Sequence, residues 1–377
     1  MKKGWEIKKL GEVLKLEYGK PLPDEKRVTD GCFPVYGANG LKGRSNVFYY
    51  DKKTIIVGRK GSAGEINLTE EKFWALDVTY FVVFDEKKYD LLFLFHLLTL
   101  LNLPKLAKGV KPGINRNEVY DLSIEIPPLA DQRRIVSLLD QCFAAIDKAK
   151  ANAEQNLKNA KELFESYLQG VFEKKGCGWE EKRLKDVALV FGRGKSKHRP
   201  RNWAGLYDGD YPFIQTGEVR NANKFITDYS QTYNEVGLAQ SKLWKKNTIC
   251  ITIAANIAET AILGFDACIP DSIIGFEVDP KKADLDFSYY LLQYFKAELQ
   301  KLGKGSAQDN INIGTFENQF FPFPPLKEQK IFVRQLDALR TETQKLEAVY
   351  RKKIAALEEL KKSVLWETFS GGIEIHN

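Results

Sequence analysis

The sequence predicts an α+β protein: two α/β globules joined by two long antiparallel helices that form a coiled coil, with an internal pseudo-two-fold repeat. Three observations predict it. The 377 residues exceed one ordinary hydrophobic core and suffice for two. The chain is written twice. Each copy closes on a Pro-Pro pair followed by a long run of apolar residues at helical spacing.

The repeat begins with Gly4-Trp5-Glu6-Ile7-Lys8-Lys9-Leu10-Gly11-Glu12-Val13, which returns as Gly178-Trp179-Glu180-Glu181-Lys182-Arg183-Leu184-Lys185-Asp186-Val187. Phe33-Pro34-Val35 returns as Tyr211-Pro212-Phe213, and Lys53-Thr54-Ile55-Ile56-Val57 as Asn247-Thr248-Ile249-Cys250-Ile251. Pro127-Pro128-Leu129-Ala130-Asp131-Gln132 returns as Pro324-Pro325-Leu326-Lys327-Glu328-Gln329. The separation between copies grows from 174 residues at the start to 197 at the end, which places the insertions inside the second globule.

Within each globule, short β-rich runs (Thr54 to Val57, Val78 to Phe84, Thr248 to Ile253, Ile273 to Val278) alternate with Gly, Asn and Pro clusters. A helix is expected at Leu91 to Leu101, with a counterpart near Tyr289 to Leu302. After each Pro-Pro pair a helix can start, with Asp131 or Glu328 in its first turn, where a negative charge is favourable. In the first helix Ile135, Leu139, Cys142, Ile146, Ala149, Ala153, Leu157, Ala160, Phe164 and Tyr167 step mostly by four and three. Phe332, Leu336, Leu339, Thr343, Leu346, Tyr350, Ile354, Leu357, Leu360 and Val364 do the same in the second. About 40 residues of helix span roughly 60 Å. The expected division is a first globule over residues 1–128, a helix over 129–175, a second globule over 176–325 and a helix over 326–377.

Composition narrows the function classes. No apolar run follows Met1-Lys2-Lys3-Gly4-Trp5-Glu6, and Leu91 to Leu101 is broken by His96 and too short to span a bilayer, so a cytoplasmic protein is expected. Five cysteines (Cys32, Cys142, Cys177, Cys250, Cys268) and three histidines (His96, His198, His376) lie scattered, suggesting neither a disulfide framework nor a metal site. The net charge of +7 is compatible with nucleic acid without demanding it.

Catalytic motifs are weak. Phe323-Pro324-Pro325-Leu326 lacks the amide and the aromatic of an adenine-methylation motif. Gly192-Arg193-Gly194-Lys195-Ser196 ends like a phosphate loop, yet Leu189 stands where its first glycine belongs. Asp271, Asp279 and Lys281 follow a loose metal-nuclease pattern, with Pro280 disfavouring the strand that must carry it.

The doubled Pro-Pro-Leu-x-(Asp/Glu)-Gln openings with their long helices, the Gly-Trp-Glu starts, and the strand-like segments Ile55 to Gly64 and Trp74 to Phe84 resemble the specificity subunits of type I restriction–modification systems. The resemblance extends over essentially the whole chain. It implies that each globule is a target-recognition domain reading double-stranded DNA, and that the helices are spacers. It further implies that the chain docks two modification subunits, and restriction subunits where a nuclease accompanies them. S-adenosylmethionine belongs to the methyltransferase partner, and the chain itself needs no cofactor. Gln132, Arg133, Gln329 and Lys330 at the helix openings are the expected partner contacts. In one place the pattern departs: Thr252-Ile253-Ala254-Ala255-Asn256 replaces the glycine-rich Gly58-Arg59-Lys60-Gly61-Ser62-Ala63-Gly64, so a base-reading loop cannot be carried over there.

DNA readers need cations for phosphate and planar donors or acceptors for base edges. In the first globule the candidates are Asn39, Lys42, Arg44 and Asn46, then Arg59 and Lys60, then Lys108, Lys111, Asn115 and Arg116. In the second they are Arg193, Lys195, Lys197, Arg199 and Arg201, then Gln215, Arg220, Asn221 and Asn223, then Lys304, Gln308 and Asn310. The helices carry mixed charge, which suits a protein partner better than a phosphate track. Two divergent readers on one chain would select an asymmetric site in two parts, with the gap set by the helices. The competing readings are a scaffold or inhibitor that does not read DNA, and a metal-dependent nuclease using Asp271, Asp279 and Lys281.

Overall fold

A computed structural model describes residues 4–198, 200, 202–254, 257–303 and 313–370. Alternation drives the first strands: in Leu14-Lys15-Leu16-Glu17 the leucines are buried and the charged residues exposed, the two-residue period of a half-buried strand. Two units result, Met1–Glu154 with Arg351–Asn377, and Gln155–Tyr350. Each long helix is therefore shared, half to each unit, where the sequence division made the helices separate segments.

Unit 1 runs through β1 (Glu6–Lys9), α1 (Leu10–Val13), β2 (Leu14–Tyr18), β3 (Arg27–Val28), β4 (Phe33–Gly37), β5 (Gly40–Ser45), β6 (Ile55–Gly58), β7 (Ile66–Leu68), β8 (Trp74–Ala75) and β9 (Thr79–Phe84). It continues through α2 (Leu91–Leu100), α3 (Arg116–Tyr120) and β10 (Ser123–Ile126) into α4 (Leu129–Glu173). Its sheets are ordered β2-β9-β6-β7 and β3-β5-β4-β8, with β1 and β10 forming a separate ribbon. The first sheet packs on α2 around Leu16, Val57, Val82, Phe93 and Leu97. Onto the same core fold Ile135, Val136 and Leu139 of α4.

Unit 2 repeats the plan: β11 (Glu180–Arg183), β12 (Ala188–Arg193), β13 (Tyr207–Phe213), α5 (Thr216–Asn221), β14 (Phe225–Ile226), β15 (Gln231–Tyr233), α6 (Glu235–Ala239) and β16 (Leu243–Trp244). Then come β17 (Ile249–Thr252), β18 (Thr260–Leu263), β19 (Ala267–Cys268), β20 (Ile273–Val278), α7 (Leu285–Gly303), α8 (Ile313–Asn318), β21 (Phe320–Phe323) and α9 (Leu326–Ser370). Its sheets are ordered β12-β20-β17-β18-β14 and β15-β13-β19-β16, with a β11-β21 ribbon. Helix α7 starts four residues before the expected Tyr289, because Asp284 caps it by accepting from the Asp286 and Phe287 amides.

The equivalence of the units reaches single hydrogen bonds. Glu6 to Lys9 pair with Ile126 to Ser123, and Glu180 to Arg183 pair with Phe323 to Phe320 in the same register. Gly4 (φ +89°) packs on Pro128 and Gly178 (φ +88°) on Pro325, both in the left-handed region that favours glycine. Asp90 caps α2 through the Leu92 and Phe93 amides, just as Asp284 caps α7.

The expected coiled-coil seam holds only in part. In unit 1 the two helices are antiparallel neighbours, with Lys150 on Glu358 (2.6 Å) and Lys361 on Asp147 (2.7 Å). In unit 2 the Tyr167 hydroxyl donates to Gln335 (2.9 Å). Ala153, Ala160 and Thr343 are buried as the seam requires. Cys142, Tyr167, Leu346 and Leu360 are exposed instead, while Leu168, Val171 and Phe172 join the core of unit 2. A straight helix turns its apolar stripe by about 20° per heptad, and the ends of α4 serve a domain core as well as a partner helix.

Candidate nucleic-acid interface

In unit 1 the candidate clusters, distant in sequence, are drawn together by backbone. The Gly61 amide donates to Pro112 O (2.9 Å), the Ile114 amide to Arg59 O (3.1 Å), and Lys60 bridges to Gly113. Gly58 lies against the β4–β5 turn so closely that a Cβ would stand 2.8 Å from Ala38 O and 2.0 Å from Ser62 O. Asn39 in that turn, Lys60 and Lys111 thus belong to adjoining loops, and all three are exposed. Gly64 (φ +86°) closes the glycine-rich loop against Pro104.

At the end of β2 sits Tyr18, which the sequence reading passed over. Its ring is 5.5 Å from the Arg59 guanidinium and 5.0 Å from that of Arg116, and it meets Tyr80 edge-on at 5.0 Å. Burial, then the hydrogen bond with Tyr18, pushes the Tyr80 phenol up to about 12, so it stays neutral. Arg59 donates through Nε (3.0 Å) and Nη2 (2.6 Å) to the Asp77 carbonyl. Arg44 donates to the Gly31 and Cys32 carbonyls. Lys42 is exposed nearby, and Asn115 caps α3 by accepting from the Asn117 amide. Lys108 is tied to Glu118 (2.9 Å).

In unit 2, Arg193 ends β12 and donates through Nε to the Asp271 carbonyl (2.8 Å). The Lys195 amide donates to Ile269 O, and the Lys197 and His198 amides to Gln240 Oε1, leaving the exposed lysine side chains outward. Among the described residues no α-helix begins between Ser196 and Thr216, and the first helical turn is a short 3₁₀ turn at Ala204–Leu206, which does not fit the phosphate-loop reading of 192–196. Gln215 caps α5 with Glu218 and donates to Gln231 (2.6 Å); Arg220 is exposed on the same helix. Arg199, Arg201, Lys304, Gln308 and Asn310 lie outside the described residues.

Some expectations need correction. Gln132 and Gln329 are fully buried, at 0% and 1% exposure, and cannot meet a partner. Gln132 Oε1 accepts the Asp90 amide (2.8 Å) while its Nε2 donates to Lys88 O and Pro127 O. Gln329 likewise accepts the Asp284 amide (2.8 Å) and donates to Pro324 O (2.7 Å). They lock each long helix to the cap of its domain helix; the adjacent Arg133 and Lys330 are exposed. Asn223 accepts from Arg340 (3.0 Å) and Gln344 (2.9 Å), so it serves packing on α9 at the edge of a groove of about 1120 Å³. For the nuclease pattern, Asp271 and Asp279 flank the six residues of β20, roughly 20 Å apart, too far to share an ion. Among the described residues no group of three or more His, Cys, Asp or Glu could hold a metal.

The replaced glycine loop is subtler than the sequence suggests. Gly64 N to Gly58 O (2.7 Å) and Gly58 N to Glu65 O (2.8 Å) recur as Ala258 N to Thr252 O (2.8 Å) and Thr252 N to Glu259 O (2.9 Å). Ala258 even keeps a positive φ of 60°. The backbone frame is retained, but Ile253, buried at 1% exposure, stands where unit 1 has Arg59.

Among the described residues no helix is long and apolar enough to cross a membrane. The family model described as type I restriction modification DNA specificity domain matches this chain twice, at residues 2–158 and 177–358. The chain is 26% identical to the type I restriction enzyme MjaVIII specificity subunit of Methanocaldococcus jannaschii, covering 99% of this chain and 94% of that protein. It is 22% identical to the EcoDI specificity subunit of Escherichia coli, covering 97% and 88%. Among solved structures, a chain from a study of assembly and conformational transition of the type I system matches with a TM-score of 0.79 at 20% identity, covering 98% of this chain and 99% of that one. The HsdS subunit of Thermoanaerobacter tengcongensis matches with a TM-score of 0.62 at 19% identity, covering 99% and 98%.

Proposed function

This chain belongs to the type I restriction–modification DNA specificity domain family, and from that premise we propose that it reads a two-part, asymmetric site on double-stranded DNA with a fixed gap. In this reading it recruits two adenine methyltransferase subunits, and restriction subunits where present, and has no catalysis of its own. The carrying observation is the pair of units that share a hydrogen-bonded frame while exposing different cationic and amide side chains. Each unit then selects its own half-site. The two 45-residue helices, each roughly 68 Å long, set the gap. S-adenosylmethionine stays with the methyltransferase, and exposed Arg133 and Lys330 at the helix openings meet that partner.

Base selection would rest on side chains whose geometry the frame holds ready, while the flipping of a target adenine belongs to the partner. A genome-wide map of N6-methyladenine, with and without the gene, tests the reading. The expected result is one split motif of constant gap that vanishes on deletion. An unchanged map would reject it in favour of a scaffold that does not read DNA.

A further inference from the structure

An equivalent backbone carbonyl in each unit holds an arginine, and the two arginines come from different elements, a loop in unit 1 and a strand in unit 2. The β2–β9 and β12–β20 pairs correspond: Leu14 faces Phe84 as Ala188 faces Val278, and Tyr18 faces Tyr80 as Arg193 faces Ile274. An irregularity between Ala188 and Val190 absorbs the one-residue difference. Gly19 N bonds Thr79 O and Lys20 N bonds Ala75 O; Gly194 N bonds Ile273 O and Lys195 N bonds Ile269 O. Asp77 and Asp271 occupy the same place in these frames. Arg59 reaches Asp77 O from the loop after β6, whereas Arg193 reaches Asp271 O from the end of β12, where unit 1 has Tyr18. Unit 2 has no loop arginine, since buried Ile253 stands there, and delivers a guanidinium to the equivalent carbonyl by another route.

We propose that Arg59 and Arg193 are the equivalent base-reading residues of the two units, each contacting the O6 and N7 of one guanine in its own half-site. The proposal rests on the DNA-reading function above and deepens it. Arg193 is anchored through Nε alone, and Arg59 through Nε and the Nη2 proton on the same side. In both, one proton each of Nη1 and Nη2 remains at the far end as a fork, the geometry that matches guanine. Among the described residues neither guanidinium has an ion-pair partner. The matching backbone positions Lys20 and Lys195 are both exposed lysines, suited to phosphate. Arg44 is also held by carbonyls, but its place opposite Pro34 is taken in unit 2 by Thr232 opposite Pro212, so it lacks a counterpart.

The test maps N6-methyladenine motifs in cells carrying the full chain as Arg59→Gln, Arg193→Gln, or the corresponding lysine variants. Arg59→Gln is expected to relax one guanine position in one half-site by roughly five- to hundred-fold, with the other half and the gap intact. Arg193→Gln is expected to do the same in the opposite half. An unchanged motif, or methylation lowered equally at all sites, would overturn the proposal. If a glutamine variant methylates nothing, the lysine variant decides: full recovery of the original motif shows that no guanidinium fork is needed and overturns it, and recovery with the guanine position relaxed supports it. No recovery by lysine overturns it as well, by marking a role in folding. A wild-type chain with no split motif would fail the underlying function, an outcome distinct from a split motif that these variants leave untouched.

Discussion

In unit 1 a buried glutamine takes the Asp90 amide and gives its protons to Lys88 and Pro127. In unit 2 its repeat takes the Asp284 amide and gives a proton to Pro324. A few residues further along the same helices the units part company. Asp140 of unit 1 is exposed beside His96, which packs on Phe143 at 5.7 Å. In unit 2 the matching Asp337 accepts from Tyr290, the residue matching His96, and from Lys224 (2.7 Å), which also reaches Asp286 (2.9 Å). Burial, with the Asp337 hydrogen bond second, keeps the Tyr290 phenol protonated. What recurs is the joint between helix and domain, where an unpaired buried amide would cost about 1–3 kcal/mol. What varies lies where water or a neighbouring side chain can substitute, and that freedom is what lets two readers diverge on one frame.

The largest expected effect tests whether the joints are equivalent. Gln132→Leu and Gln329→Leu should each destabilise their unit by about 3 kcal/mol, seen as faster hydrogen exchange of the Asp90 or Asp284 amide and its neighbours. A loss produced by only one of the two variants would break the equivalence. Next, Asp337→Leu should cost about 1.5–3 kcal/mol by removing the charged acceptor of Tyr290 and Lys224, which keeps Asp286, whereas Asp140→Leu should stay within about 0.5 kcal/mol. Urea unfolding of the two variants compares them, and equal costs would show that the networks do not differ in weight.

The smallest effect concerns pH. Burial, opposed by Asp140 and Asp90 and aided by Lys361, depresses the His96 pKa from its usual 6.5. A histidine depressed in the fold binds its proton more readily when unfolded, so stability is full above about pH 6.5 and falls as the pH drops through that value. Unit 1 should therefore lose stability between pH 7.5 and pH 5.5, and His96→Phe should remove that loss. Unit 2, with tyrosine at the matching place, should lack it, as exchange rates in the two units at both pH values would reveal.

The duplication, the helix starts at Leu129 and Leu326 and the strand runs around Ile55 and Ile273 were legible because they depend on local signals: proline position, alternation and spacing by three and four. The seam was less legible. Apolar spacing cannot tell a residue facing a partner helix from one facing a domain core, and Phe172 went one way while Leu360 stayed exposed. Candidate clusters at 59–60 and 111–116 were found by composition, but their adjacency needed the backbone bonds from Gly61 to Pro112 and from Ile114 to Arg59. Lys20 and Tyr18 escaped notice because nothing near them in sequence is basic or glycine-rich enough to stand out. Extending the repeat past Val13, with one residue allowed for the irregularity in β12, would have aligned Gly19-Lys20 with Gly194-Lys195.

By itself the sequence determined that there are two copies, where each begins and ends, and which stretches are too basic and broken to be core. Tertiary structure decided which of the marked polar residues are available at all. Gln132, Gln329 and Asn223 carry the same donors and acceptors as a base reader, and only folding shows that buried amides or arginine have already taken them. It also decided that Arg59 and Arg193, unrelated by sequence position, meet equivalent carbonyls. Hydrogen-bonding capacity belongs to a residue's chemistry, whereas whether that capacity is already spent depends on neighbours that only the folded chain brings within 3 Å.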